Sequence, residues 1–268
     1  MGKVVFITGA SSGLGKHTAE FLDQNGFTVY GSSRKGNPIG GNVIPLKMDV
    51  TDVTSIQLAI NIVLKKEGKI DVLINNAGMG ISGSIEEAST EEIKLQMDTN
   101  FLGMVHVIQA VLPSMRQNKN GTIINMSSLG GIAALPFQGF YCASKYAIIG
   151  FSDALRMEIK PFNIKVVVIE PGDFFTNFTA NRLIQEKAKT NSPYEAQFNK
   201  TIGIIEKDEN GGIHPNVLAR KIYKIIKSKN PCQVYVVSSF EQRLVPYIKR
   251  LLPNSWFYSI IGSHYGIK

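Results

Sequence analysis

The stretch that most limits how this chain can fold lies at its start. Residues 3–8 form a short β-branched apolar run that passes straight into Gly9-Ala10-Ser11-Ser12-Gly13-Leu14-Gly15, and residues 16–25 then have helical composition. A strand, a glycine turn and a helix in that order leave backbone N–H groups pointing outward at a helix N-terminus, where an anion can sit. Glycine is needed because a side chain would obstruct both the approach of a phosphate and the packing of helix on strand. An ordinary tight turn is the alternative. The position directly after an N-terminal strand favours a pyrophosphate cradle built by Gly9, Ser11, Ser12, Gly13, Leu14 and Gly15.

The alternation continues. Residues 27–32, 43–48, 70–74, 121–126, 164–169 and 233–238 read as further strands, and helical patterns lie between them. Ile56, Ile60, Val63 and Leu64 give one helix an apolar stripe that Asp52 or Thr51 can cap. Residues 91–117 read as one long helix carrying a polar Asn100 among Phe101, Leu102, Val105 and Val107, and residues 215–228 as another helix. The continuous apolar run at 70–74 suits a strand buried on both faces. The pattern predicts an α/β fold, a Rossmann-type doubly wound parallel sheet, whose ligands sit beyond the carboxyl ends of the strands. No composition shift divides the 268 residues, so one domain is expected.

The strand ends carry the chemistry. Ser32-Ser33-Arg34-Lys35 follows the second strand without an acid, and Ser33 with Arg34 can hold a 2'-phosphate, which predicts NADP(H) over NAD(H) with NAD(H) still usable. Asn75-Asn76-Ala77-Gly78 offers small residues for close approach of a flat ligand, and Ser127 or Ser128 falls at the same edge. In Tyr141-Cys142-Ala143-Ser144-Lys145 a helix would place Tyr141 and Lys145 one turn apart on one face. An ammonium beside a phenol favours the phenolate and draws its pKa toward neutrality, making the pair a general acid/base for a carbonyl or hydroxyl. Asn100 is open to a backbone-bracing or a catalytic role.

Other classes are disfavoured. The net charge of +8 is scattered, without an aromatic-basic module, so nucleic acid is not an expected partner. The N-terminus has no signal-peptide pattern and no apolar run of spanning length occurs. Two cysteines, Cys142 and Cys232, and four dispersed histidines give neither a disulfide framework nor metal-ligand spacing, so a reducing, cytoplasmic setting and no metal are expected. Cys142 reads as a small buried hydrophobe. Residues 173–212 mix Phe174, Phe175, Phe178, Phe198 and Ile202 with charges and suit a lid over an apolar substrate. The tail at 240–268 is amphipathic; it is expected to pack on its own domain or a partner subunit, with contact to a membrane surface the lesser option.

Taken in order, Thr8 to Gly15, Asn75 to Gly78, Asn100, Ser128, Tyr141 with Lys145, and Pro171-Gly172 with Thr176 resemble the short-chain dehydrogenase/reductase family over residues 3–237. Ser128, thirteen positions before the tyrosine, matches the family serine. The resemblance implies an oxidoreductase in which Tyr141 passes a proton to or from the substrate oxygen and Ser128 holds that oxygen. Lys145 would bind the nicotinamide ribose and lower the tyrosine pKa, and Asn100 would fix a water in the relay. It further implies Asp49 and Val50 at the adenine, and Asn76, Ala77, Gly78, Pro171, Gly172 and Thr176 around the nicotinamide. Residues 130–158 look like members acting on steroid-, retinoid- or lipid-like alcohols and ketones. A homodimer or homotetramer is a common state in the family. A non-catalytic NADP(H)-sensing protein is the rival, but it would more naturally have lost one of Ser128, Tyr141 and Lys145.

Overall fold

The structure is a computed structural model that describes residues 2–189 and 191–267. β1 (Val4–Thr8) turns through the glycines into α1 (Gly13–Gln24), and β2 (Thr28–Ser33), β3 (Ile44–Lys47), α2 (Val53–Glu67) and β4 (Val72–Asn75) follow. Next come β5 (Ile81–Ser82), α3 (Thr90–Met97), α4 (Gly103–Gln117), β6 (Gly121–Met126), α5 (Gly139–Glu158) and β7 (Ile164–Pro171). β8 (Leu183–Ile184), α6 (Glu195–Asn210), α7 (Asn216–Lys227), β9 (Val234–Val237), α8 (Val245–Leu251) and α9 (Asn254–His264) complete the chain.

Seven strands form one parallel sheet in the order β3-β2-β1-β4-β6-β7-β9, while β5 and β8 pair separately. Strand alternation sends Phe6, Leu73, Ile123 and Val166 to one face, where α2, α4 and α5 cover them. Val5, Ile7, Val72, Ile74, Ile124 and Ile169 face the other way, under α1 and α7. Every residue of β1, β4 and β6 is therefore buried, as expected of strands covered on both faces. The strand order reverses beside β1, and that switch opens a crevice at the carboxyl ends. This is the expected single-domain α/β architecture.

Local chemistry fixes the helix ends. The Asp52 carboxylate accepts from the amides of Thr54 and Ser55 and starts α2, and Gly68 ends it in the left-handed conformation. Ser89 and Glu92 make a reciprocal capping box at α3.

Two regions differ from the sequence reading. The long helix expected over 91–117 is interrupted by a π-turn at Asp98–Leu102, which widens the coil around the inward-turned Asn100. Residues 173–212 are more regular than their composition implies. They contain β8 and the 16-residue α6, which buries Phe198, Ile202 and Ile205 in a small core of its own with Ala188, packed against Phe137, Ile184 and Tyr265.

Candidate active site

A cavity of about 1510 Å³ opens along the carboxyl edge of the sheet. Of the residues given a catalytic or cofactor-binding role from sequence, all but Gly15 and Asn100 line it. Gly9, Ser11, Ser12, Gly13, Leu14, Ser33, Arg34, Asp49, Val50, Asn76 and Ala77 lie toward the β1–β4 side of the edge and Ser128, Tyr141, Lys145, Pro171 and Gly172 toward β6 and β7, while Gly78 adjoins Lys145 and Thr176 adjoins Gly13 between them. Gly15 has a packing role instead, since a Cβ there would stand 2.3 Å from the Gly9 carbonyl.

The glycine turn is braced by its neighbours. Thr8 Oγ1 accepts from the amides of Asn76 (3.0 Å) and Ala77 (2.9 Å), and Asn76 Nδ2 donates to the Thr8 and Gly9 carbonyls at 3.0 Å each. Gly9 has φ +66, and a Cβ on it would lie 2.8 Å from Ala77 Cα, so only glycine fits. Ser12 is the N-cap of α1, yet it makes no side-chain cap, and the first turn carries no acid. The helix thus presents its first-turn amides and positive dipole end uncovered at the cavity. At the end of β2, Ser33 Oγ accepts from the Gly36 amide (3.1 Å), and the exposed Arg34 has no ion pair among the described residues. These features fit a dinucleotide with its pyrophosphate at the turn.

At the other end α5 sets Tyr141 and Lys145 one turn apart. Lys145 is buried; its ammonium donates to the Met126 carbonyl (2.9 Å) and lies 5.7 Å from the centre of the Tyr141 ring. The two serines separate cleanly. Both line the cavity, but the hydroxyl of the buried Ser127 donates to the Lys145 carbonyl (2.9 Å), whereas Ser128 accepts from the Gly130 amide (3.0 Å) and stands beside the Tyr141 phenol. A methyl placed on Gly130 would stand 3.2 Å from Tyr141 Cε1 and 3.5 Å from Ser128 Oγ, which shows how closely phenol and hydroxyl converge. A methyl on Gly78 would likewise meet Asn100 Oδ1 at 3.4 Å and Lys145 Nζ at 3.6 Å.

The electrostatics correct one expectation. Burial lifts the Tyr141 phenol above its ordinary value, and the hydrogen-bonding pull of Ser128 only partly opposes it. The phenol is not drawn toward neutrality, because its own burial outweighs the pull of its neighbours; burial also lowers the Lys145 ammonium to about 8, which leaves it largely charged at pH 7. Burial also raises the Cys142 thiol to about 11, in keeping with a buried apolar residue whose sulfur accepts from the Leu135 amide (3.3 Å).

Asn100 stands behind the wall. Its Oδ1 accepts from the Met79 amide (2.8 Å), and its Nδ2 donates to the Met79 carbonyl (3.0 Å) and to Ser144 Oγ (3.1 Å). It ties the Asn-Asn-Ala-Gly turn to α5. Sequence reasoning missed a second buried chain, in which Asn75 donates to Asn125 (2.9 Å) and Asn125 donates to Ser152 (2.9 Å), linking β4, β6 and α5. The segment expected to cover the substrate does supply that side: Phe178 packs on Tyr141 with ring centres 6.0 Å apart, and Asp173 and Glu209 line the cavity with it. Sequence reasoning missed that Gln242, Val245, Ile260 and Tyr265 complete the wall. Burial, reinforced by the Glu209 and Asp208 carboxylates, raises Asp173 to about 6 against the opposing hydrogen bond from Gln242. No short-range pattern signals these residues, since they arrive from segments far apart in the chain.

Comparison with known proteins accords with this geometry. The short chain dehydrogenase family model matches residues 3–187. A 3-ketodihydrosphingosine reductase of Bacteroides thetaiotaomicron is 46% identical over 266 residues, covering 99% of each chain. A crystal structure of a short-chain dehydrogenase from Streptomyces avermitilis superposes with a TM-score of 0.81 at 28% identity, covering 97% of this chain and 99% of that one. One from Burkholderia cenocepacia in complex with NADP gives 0.76 at 22% identity, covering 97% of each chain, and shows the shared fold. Solved neighbours include complexes with NAD as well as with NADP. The family match and the near-complete overlap with a curated relative establish that this chain belongs to the short-chain dehydrogenase/reductase family, as an oxidoreductase that works with a nicotinamide cofactor.

Proposed function

We propose that the chain is an NADP(H)-preferring reductase of a lipophilic ketone, with a long-chain keto base of the 3-ketodihydrosphingosine kind as the substrate class. The observation that carries the reading is the convergence of Ser128, Tyr141 and Lys145 in one cavity whose far end holds Arg34. Apolar Leu135, Phe178, Leu183, Val245, Ile260 and Ile261 line the substrate side, as a hydrophobic chain requires, and the 46% identical relative is named for such a ketone.

When bound, the cofactor supplies the hydride that the carbonyl carbon receives. Ser128 donates a hydrogen bond to the carbonyl oxygen and orients it toward Tyr141. Tyr141 gives that oxygen its phenolic proton, and a phenol raised by burial holds its proton at neutral pH, which suits reduction. The buried Lys145 ammonium faces the Tyr141 ring and stabilises the phenolate that forms. Lys145, beside Gly78 at the cavity wall, would hold the nicotinamide ribose. Asn100 acts as a positioning residue, holding the Met79 backbone and α5 in register. Residues 173–212 act as a lid that excludes water over Tyr141.

NADPH oxidation, followed by absorbance with 3-ketodihydrosphingosine and with small polar ketones, tests the reading. The expected result is a clear preference for the long-chain ketone and for NADPH. Arg34→Ala should lower kcat/KM with NADPH by about 10- to 100-fold, the worth of a charge-assisted phosphate contact, and leave NADH almost unchanged. Equal or better use of NADH by the unaltered protein refutes the cofactor assignment, and preference for a sugar refutes the substrate class.

A further inference from the structure

The last two helices carry their apolar residues on the wrong side for a domain that ends in water. Leu244, Tyr247, Ile248 and Leu251 recur at i, i+3, i+4 and i+7, the spacing of one helical face, yet all are exposed, Tyr247 by 68% and Leu251 by 81%. On α9, Trp256 is 66% and Ile260 58% exposed, while Phe257 is buried. Lys249 does the reverse. It turns inward, where its ammonium donates to Tyr146 Oη (2.7 Å) and to the Ile132 carbonyl, anchoring α8 to the rim of α5.

Charge identifies what such a face can meet. From 242 to the C-terminus the chain contains no Asp or Glu, while Arg243 and Arg250 flank the apolar stripe, exposed. A second copy joined by two-fold symmetry would set the Arg250 side of this stripe, where the two helices carry no acid of their own, against itself. An anionic lipid surface supplies both the apolar phase and the countercharge. No helix among the described residues is long and apolar enough to cross a membrane, so the face would lie on the bilayer. The same two helices contribute Val245, Ile260 and Ile261 to the wall of the cavity that holds Tyr141.

We propose that α8 and α9 form a docking surface for an anionic lipid bilayer and set the substrate side of the cavity against it. Docking stands on the surface itself; only its use, loading a lipophilic ketone from the bilayer, rests on the function proposed above.

Co-sedimentation tests it, with vesicles of phosphatidylcholine alone and of three parts phosphatidylcholine to one part phosphatidylglycerol. The protein should sediment with the anionic vesicles, less so at high salt. A Tyr247→Ser, Leu251→Ser, Trp256→Ser variant should bind about tenfold more weakly or worse, and Arg243→Glu with Arg250→Glu should lose about tenfold on the anionic vesicles. None of these residues lines the cavity, so turnover of a water-soluble ketone should hold in both variants, which also reports folding. A protein left in the supernatant with both vesicles overturns the proposal even if that turnover is normal. So does undiminished vesicle binding by both variants, or a triple variant whose only change is a smaller mass by light scattering, which would assign the face to a second copy.

Discussion

At the scale of single residues the site depends on burial acting on two groups in opposite senses. Tyr141 and Lys145 sit one turn apart, and desolvation raises the phenol while it lowers the ammonium to about 8. Both shifts favour the neutral form of the group. A neutral phenol is a proton donor in waiting, and Ser128 is the hydroxyl beside it. Tyr141→Phe keeps the ring against Phe178 and removes only the proton. It should lower kcat for ketone reduction by about 10²- to 10⁴-fold, the usual range for a lost general acid, while cofactor affinity measured by fluorescence changes by less than about twofold. A variant that keeps its kcat would remove Tyr141 from the chemistry. The spacing of Tyr141 and Lys145 was readable in the sequence because it is local. The division of labour between Ser127 and Ser128 was not readable from the two serines themselves; it is set by whether the hydroxyl meets the Lys145 carbonyl or the Tyr141 phenol.

At the scale of elements, strands and their following turns were legible because period and punctuation are short-range signals. β6 falls at the expected residues, and β1, β2 and β4 lie within about two residues of them. The π-turn at Asn100 and the helix α6 were not legible. The first depends on contacts with Met79 and Ser144 from other elements, and the second has its apolar stripe of Phe198, Ile202 and Ile205 masked by the charges between. β7 holds a further consequence of burial. Glu170 is 5% exposed, and desolvation, with a smaller contribution from the Asp153 carboxylate, raises its carboxyl to about 7 from 4.5. The folded state therefore binds this proton more tightly than the unfolded chain does. The resulting stabilisation is complete below about pH 4.5 and is lost as pH rises through about 7, by an amount on the order of 3 kcal/mol. Urea midpoints taken from pH 5 to pH 8 should fall for the unaltered protein relative to Glu170→Gln, which lacks the ionisation. Parallel profiles would show that Glu170 does not titrate in this range.

At the scale of the molecule the cavity has two walls of different origin. The sheet edge and its turns supply the nucleotide end, each residue arriving at the end of a strand that the core fixes. The substrate end is assembled from residues 173–212 and the last two helices, whose order is held by a few polar ties. Foremost is Arg182, whose side chain is 1% exposed and pairs with Glu209, while Glu209 also accepts from Thr179 Oγ1 (2.6 Å). Thr201 donates to the Tyr265 carbonyl (3.0 Å) and brings the tail back over α6. Fold-level patterns located the first wall residue by residue but the second only as a segment, because the ties that place the second join distant positions. The same difference makes the walls separable by mutation. Glu209→Gln leaves the buried Arg182 guanidinium without its close carboxylate, a loss of about 3–5 kcal/mol in buried pairs generally, and the loosened region includes Phe178, which packs on Tyr141. The substrate wall should open while the glycine turn, anchored by Thr8 and Asn76, stays as it is. KM for a ketone should therefore rise by about tenfold or more, with proteolysis within 173–212 accelerated and the dissociation constant for NADPH nearly unchanged. A variant that lost cofactor and ketone affinity in parallel would show that the two walls are one cooperative unit.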